Sequence, residues 1–191
     1  MKVLILSIIV SAALLVSCNN NTQKSVQTDS LTQKPSEAAN NKQNASANGI
    51  KPIIDSYIEL KNALVQDKDK DAANAGEKMF KAFETFDKSS LTEERRNAYS
   101  DIEDDAKEHA EHIGKNAGNI KHQREHFATL SKDIYELAKL FGSGQPMYLD
   151  HCPMYDNNKG ADWLSETKDI HNPYLGTAMP DCGTVKEELK L

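Results

Sequence analysis

The sequence predicts an all-α protein, an up-and-down four-helix bundle over residues 50–142 with an irregular Cys-, Met-, Pro- and Gly-rich segment, residues 143–191, packed on it within the same domain. Three observations carry that expectation. Apolar residues recur at three- and four-residue intervals through four successive stretches, the period of an amphipathic helix. The connections between them are short, which makes consecutive helices antiparallel neighbours. Beyond Gly142, glycines and prolines recur from Gly144 to Gly183 and interrupt any further long helix.

Met1 and Lys2 precede an apolar run, Val3 to Val16, too short to span a bilayer comfortably and suited to a secretory signal. The run closes on Leu15-Val16-Ser17-Cys18, which resembles the lipobox of bacterial lipoproteins. That resemblance implies removal of residues 1–17 as a lipoprotein signal peptide and acylation of Cys18 as the new first residue. The chain is then anchored to a cell membrane rather than spanning it, facing the periplasm, with the outer membrane as the expected location. An ordinary secretory signal cut nearby is the alternative, and it too places the chain outside the cytoplasm. From Asn19 to Gly49 the residues are mostly Asn, Gln, Ser, Thr, Lys and Ala with no aromatic side chain, so lipidated Cys18 and residues up to 49 are expected to form a disordered tether. As flexible coil such a tether spans roughly 30 Å. About 140 residues remain, enough for one compact domain.

The formal charge is −6 at pH 7, and Lys2 is lost with the signal, which leaves the remainder more acidic still. Nucleic acid is therefore not an expected partner.

The first helix rests on Ile53, Tyr57, Leu60 and Leu64, flanked by Ile54, Ile58 and Val65. Asp67 to Asp71 is a polar break. Ala72, Gly76, Met79, Phe83 and Phe86 mark a second helix ending near Lys88. Ser90-Leu91-Thr92-Glu93 fits a capping box for the third, in which the serine hydroxyl and the glutamate each satisfy an orphan amide. Its seam runs through Tyr99, Ile102, Ala106, His109 and Ile113. Gly114 and Gly118 are helix-ending positions, and Asn119 is a cap for a fourth helix whose face is Ile120, Phe127, Leu130, Ile134, Leu137 and Phe141, stopped by Gly142. In the last segment, Met147-Tyr148-Leu149 reads as a short strand leading into Cys152, Ala161 to Ser165 as one helical turn, and Asn172-Pro173-Tyr174 as a turn whose tyrosine packs back on the helices.

His109, His112, His122 and His126 flank the turn between the third and fourth helices, so an antiparallel hairpin brings them together. Imidazoles so placed can complete a copper, zinc or nickel site. His109 also falls on the apolar seam, where a buried histidine with no ligand role is equally consistent; His112 and His122 are the better candidates. The sulfur donors lie in the last segment. His151-Cys152-Pro153-Met154 and Met179-Pro180-Asp181-Cys182-Gly183 are near mirror images, and thiolate and thioether ligands favour copper(I) over hard cations.

Cys152-Pro153-Met154, Gly160 to Ser165, Ile170 to Tyr174 with Gly176, and Met179 with Cys182-Gly183 resemble the signature of the family catalogued as domain of unknown function 3347. His122-Gln123-Arg124-Glu125-His126-Phe127, Leu130-Ser131 and His112-Ile113 are also similar to that family, so the resemblance extends over roughly residues 50–189. It implies an extracytoplasmic protein related to the C-terminal domain of some adaptor subunits of copper and heavy-metal efflux pumps, with a metal efflux system as the implied partner.

The expected function is thus a periplasmic lipoprotein that binds a soft metal ion in metal tolerance or efflux. Cys152 and Cys182 supply thiolates, Met154 and Met179 thioethers, and His151, His112, His122 and His126 are neighbouring candidates. Copper(I) is the leading ion, with silver or zinc as alternatives. The rival reading uses the same cysteines as a Cys152–Cys182 disulfide in a structural or adaptor module, since two cysteines left after lipidation in an oxidising compartment readily pair. An enzyme is the least supported class: no Ser/His/Asp order, phosphate-cradling loop or HExxH pattern is present.

Overall fold

The computed structural model describes residues 37–190, so the signal-peptide reading, Cys18 and the tether up to residue 36 lie outside the described residues. Four long helices come first, α1 (Glu37–Val65), α2 (Asp69–Glu84), α3 (Glu93–Lys115) and α4 (Ile120–Phe141). Three strands follow, β1 (Met147–Cys152), β2 (Ala161–Ser165) and β3 (Thr184–Leu189), paired antiparallel in the order β2-β1-β3. The protein is therefore mostly helical with a small sheet, and the all-α expectation is corrected by this C-terminal element.

The expected helical turn at Ala161 to Ser165 is β2, paired residue by residue with β1 from Cys152↔Ala161 to Tyr148↔Ser165. Five residues after a glycine are too few to offset helix nucleation, whereas the neighbouring strand satisfies their amides at once. β3 escapes a reading by hydrophobic alternation because it is an edge strand, exposed over most of its length. A register shift between Leu149 and Asp150 of β1 re-aligns it with β3.

Helix α1 begins at Glu37, so residues 37–49 of the expected tether are helical, and Ile50, where the composition changes, is fully buried. Once a buried turn is nucleated, adding residues such as Ala, Lys and Gln in front of it takes little free energy. Helix α3 is capped by Thr92, whose Oγ1 accepts from the Arg95 amide at 3.4 Å, and not by the expected Ser90. Asp87 takes the Ser89 amide at 2.8 Å and winds Lys88–Ser90 into a separate 3₁₀ turn, which moves the helix start two residues on. Gly114 does not end α3 either. It lies inside the helix opposite α2, and at Gly76 a Cβ would stand 2.8 Å from the Ala110 carbonyl oxygen, so α2 and α3 approach backbone to backbone. Asn119 caps α4 as expected, its Oδ1 accepting from the His122 amide at 3.3 Å, and Gly142 ends that helix at φ +80°.

The apolar faces of the helices meet in one core that extends under the sheet to Trp163. Tyr57 stacks on Phe127 at 5.2 Å, and its hydroxyl accepts from the Leu164 amide at 3.0 Å, hanging β2 on α1. Arg124 of α4 donates to the Pro173 carbonyl at 2.7 Å and the Leu64 carbonyl at 2.8 Å and pairs with Asp67, so one side chain ties α4 to the end of α1 and to the last segment. Asn172 Oδ1 accepts from the amides of Tyr174 and Leu175 at 2.8 and 2.9 Å, forming the expected turn and burying Tyr174. These ties fix α4, and with it the histidines it carries.

Candidate metal centre

The α3–α4 hairpin builds a polar ladder along one seam. On α3 the contributors are Asp105, His109 and His112, spaced four and three residues apart; on α4 they are His122, His126 and Asp133, spaced four and seven. These intervals return a side chain to the same face of a helix, so the antiparallel pairing sets the two stripes against each other. Nearest the turn, the ring of His112 stands 6.2 Å from that of His122 and stacks on that of His126 at 4.4 Å. His126 Nε2 lies 3.1 Å from His122 Nε2, and His126 Nδ1 lies 2.9 Å from His109 Nδ1. Farthest from the turn, His109 Nε2 is 3.7 Å from an Asp105 oxygen.

One nitrogen each from His112, His122 and His126 lie within 4.8 Å of one another. Two nitrogens held about 2.0–2.1 Å from a tetrahedral ion stand about 3.3 Å apart, close to the His122–His126 separation. Burial, and then the neighbouring rings of His112, His122 and His109, push the His126 pKa down to about 4, so this imidazole is neutral and presents a lone pair at pH 7. Glu125 and Glu108 approach His122 and His112 at 3.4 and 3.8 Å, at the outer edge of the cluster. His126 therefore sits at the centre, touching all three other histidines. The triad contains His112 and His122 and leaves out His109, and Asp105 and Asp133 are the residues that sequence reasoning missed. Their signal was present in the spacing, one turn before His109 and two turns after His126.

The sulfur donors are arranged differently. Cys152 at the end of β1 is fully buried, and its Sγ lies 3.3 Å from Cys182 Sγ in the turn before β3. Both are free thiols, and the contact with Cys152, followed by burial, holds the Cys182 pKa above its ordinary value. The thiols meet, whereas Met154 and Met179 stand on the surface, 48 % and 41 % exposed. His151 follows the strand alternation away from Cys152, and its Nδ1 pairs with Asp162 at 2.6 Å. Among the described residues, neither of the groups of three or more His, Cys, Asp and Glu ligand atoms includes a cysteine. A groove of about 860 Å³ is lined on α4 by Lys121, Arg124, Glu125, Ala128, Thr129 and Lys132 and so is centred about 100° round the helix from the ladder.

Residues 53–146 match the model of the family described as "Protein of unknown function (DUF3347)". These residues belong to the DUF3347 family. The DUF3347 region contains the whole ladder and ends one residue before β1, so the sulfur-bearing segment lies beyond it. No curated protein and no solved structure matches the chain.

Proposed function

We propose that this DUF3347 protein is a metal-binding module of the bacterial cell envelope, anchored through Cys18 on the periplasmic side, that takes up copper in metal tolerance or efflux. In this reading the four long helices act as an up-and-down bundle, and the seam between α3 and α4 holds the ion. The observation that supports it is the convergence of His112, His122 and His126, with their ligand atoms within 4.8 Å of one another. Imidazole donors suit copper, zinc and nickel, and among divalent first-row ions copper(II) binds a given nitrogen site most tightly. Neutral imidazoles also accept copper(I), so the donor set carries the copper reading without the thioethers; silver(I) and zinc are the competitors. A metal efflux system as recipient follows from the family resemblance of the sequence. The test is a titration of the mature protein with copper(II) against a competing chelator, followed by electron paramagnetic resonance. One tightly held ion with imidazole nitrogen couplings is expected. Absence of tight binding, or a spectrum without nitrogen ligation, would falsify the reading.

The 3.3 Å contact between Cys152 and Cys182 supports a second reading for the sulfur segment. Two thiolates on one tetrahedral ion at about 2.3 Å stand about 3.8 Å apart, whereas adjacent thiols at the observed distance are placed to form a disulfide by exchange with an oxidised dithiol carrier of the oxidising compartment, which takes up the two electrons and two protons. Such a bridge would contribute roughly 3–4 kcal/mol in the chain-entropy model. Protein isolated with an alkylating reagent already present is expected to carry label on Cys152 and Cys182 only after prior reduction. Full labelling without reductant would remove the disulfide.

A further inference from the structure

Asp105, His109 and Asp133 form a second group of three ligand atoms within 4.8 Å of one another, set beside the imidazole triad and distinct from it in donor type. His109 turns Nδ1 to His126 at 2.9 Å, which leaves Nε2 facing the Asp105 oxygen at 3.7 Å. That gap is too long for a hydrogen bond, yet an ion about 2 Å from each atom spans it. In the tautomer in which His109 Nδ1 donates to His126, Nε2 presents a lone pair, the usual arrangement of a metal-bound imidazole. Asp133 supplies the third ligand from α4, and an independent observation points to a missing partner there: its Oδ2 is buried and has no hydrogen-bond donor. A buried carboxylate oxygen without a donor is unfavourable, and a cation is a partner that would relieve it.

We propose that Asp105, His109 and Asp133 constitute a second cation site, one that takes a divalent ion suited to mixed carboxylate and imidazole donors, such as zinc. The site shares the α3–α4 seam with the triad but none of its ligands, and the single proton between His109 Nδ1 and His126 Nδ1 couples the two: on His109 it frees His109 Nε2 for this site, on His126 it frees His126 Nε2 for the triad, so both fill together only if that contact opens. The donor sets divide the ions between the two positions. Three imidazoles favour copper, while two carboxylates with one imidazole accept harder divalent ions.

The test uses the mature protein carrying His112→Ala and His122→Ala, which removes two of the three triad ligands, titrated with zinc by calorimetry. One zinc per chain is expected, weakened at least 10-fold by adding Asp105→Asn and likewise by adding Asp133→Asn. Asp105 is 59 % exposed, so its substitution leaves the core intact and reads the site even if the Asp133 variant unfolds. Zinc binding that neither asparagine weakens, or no zinc binding in the double-alanine background, overturns the second site. Failure of the triad reading would show instead as absent copper binding in the unsubstituted protein, with this zinc site intact.

Discussion

His126→Ala is expected to lower copper affinity by about 100-fold or more, while His171→Ala, at an exposed position outside the ladder, leaves it unchanged. His126 is the hub of the cluster: Nε2 approaches His122, Nδ1 approaches His109, and its ring stacks on His112. Its loss removes one ligand of three and also the ring that orients the others. Because its pKa is near 4, proton competition at this ligand begins only in strongly acidic solution, so the deficit should be present across the neutral range. The same depressed pKa has a stability consequence. The unfolded chain takes up a proton on this histidine as pH falls below about 6.5, and the folded protein does so only near 4, so stability contributed by His126 is lost through that window. Competitive chelator titration of the two variants, with thermal unfolding as a check on folding, reads the prediction. Equal affinities would place the copper elsewhere.

Asp150→Asn is expected to stabilise the protein by about 2–3 kcal/mol at pH 8 and to have little effect near pH 4. Asp150 lies at the middle of the central strand, fully buried, and neither carboxylate oxygen has a hydrogen-bond partner. Burial raises its pKa from 3.8 to about 7, with Glu166 adding to the rise and Lys61 opposing it. For an acid whose folded pKa lies above its unfolded value, the folded state holds the proton more tightly. Stability from this group is therefore full below about pH 4 and is lost as pH climbs to about 7. That interval corresponds to roughly 4 kcal/mol at most; Lys61, buried and paired with Glu166 at 2.7 Å, remains in either variant, so the recoverable part is smaller. Denaturant unfolding at pH 4, 6 and 8 checks it. Parallel pH profiles for the two proteins would show that Asp150 titrates in the fold as it does in the unfolded chain, with no burial penalty to recover.

Much of the helical part is legible because its information is local. The spacing of Tyr57, Leu60 and Leu64, or of Phe127, Leu130 and Ile134, assigns a face within a few turns, and Asn119 and Gly142 act on amides and carbonyls next to them. Ser90 misleads because two adjacent residues, Asp87 and Thr92, compete for the same cap roles and the choice depends on the turn that Lys88–Ser90 makes. The sheet is less legible for a different reason. Nothing in Thr184–Leu189 alternates, since an edge strand is held by the backbone of β1, and Ala161–Ser165 becomes a strand only beside that partner.

The candidate site divides in the same way. Residue types and intervals alone nominated the four histidines and the two cysteines, because ligand chemistry belongs to the side chain and helical periodicity belongs to the segment. The folded arrangement put His126 at the hub, set Cys152 against Cys182 and left Met154 and Met179 on the surface. Those outcomes depend on how α3 meets α4 and where β1 ends relative to the turn before β3. Such placements are set by packing between parts of the chain far apart in sequence, and no local pattern encodes them.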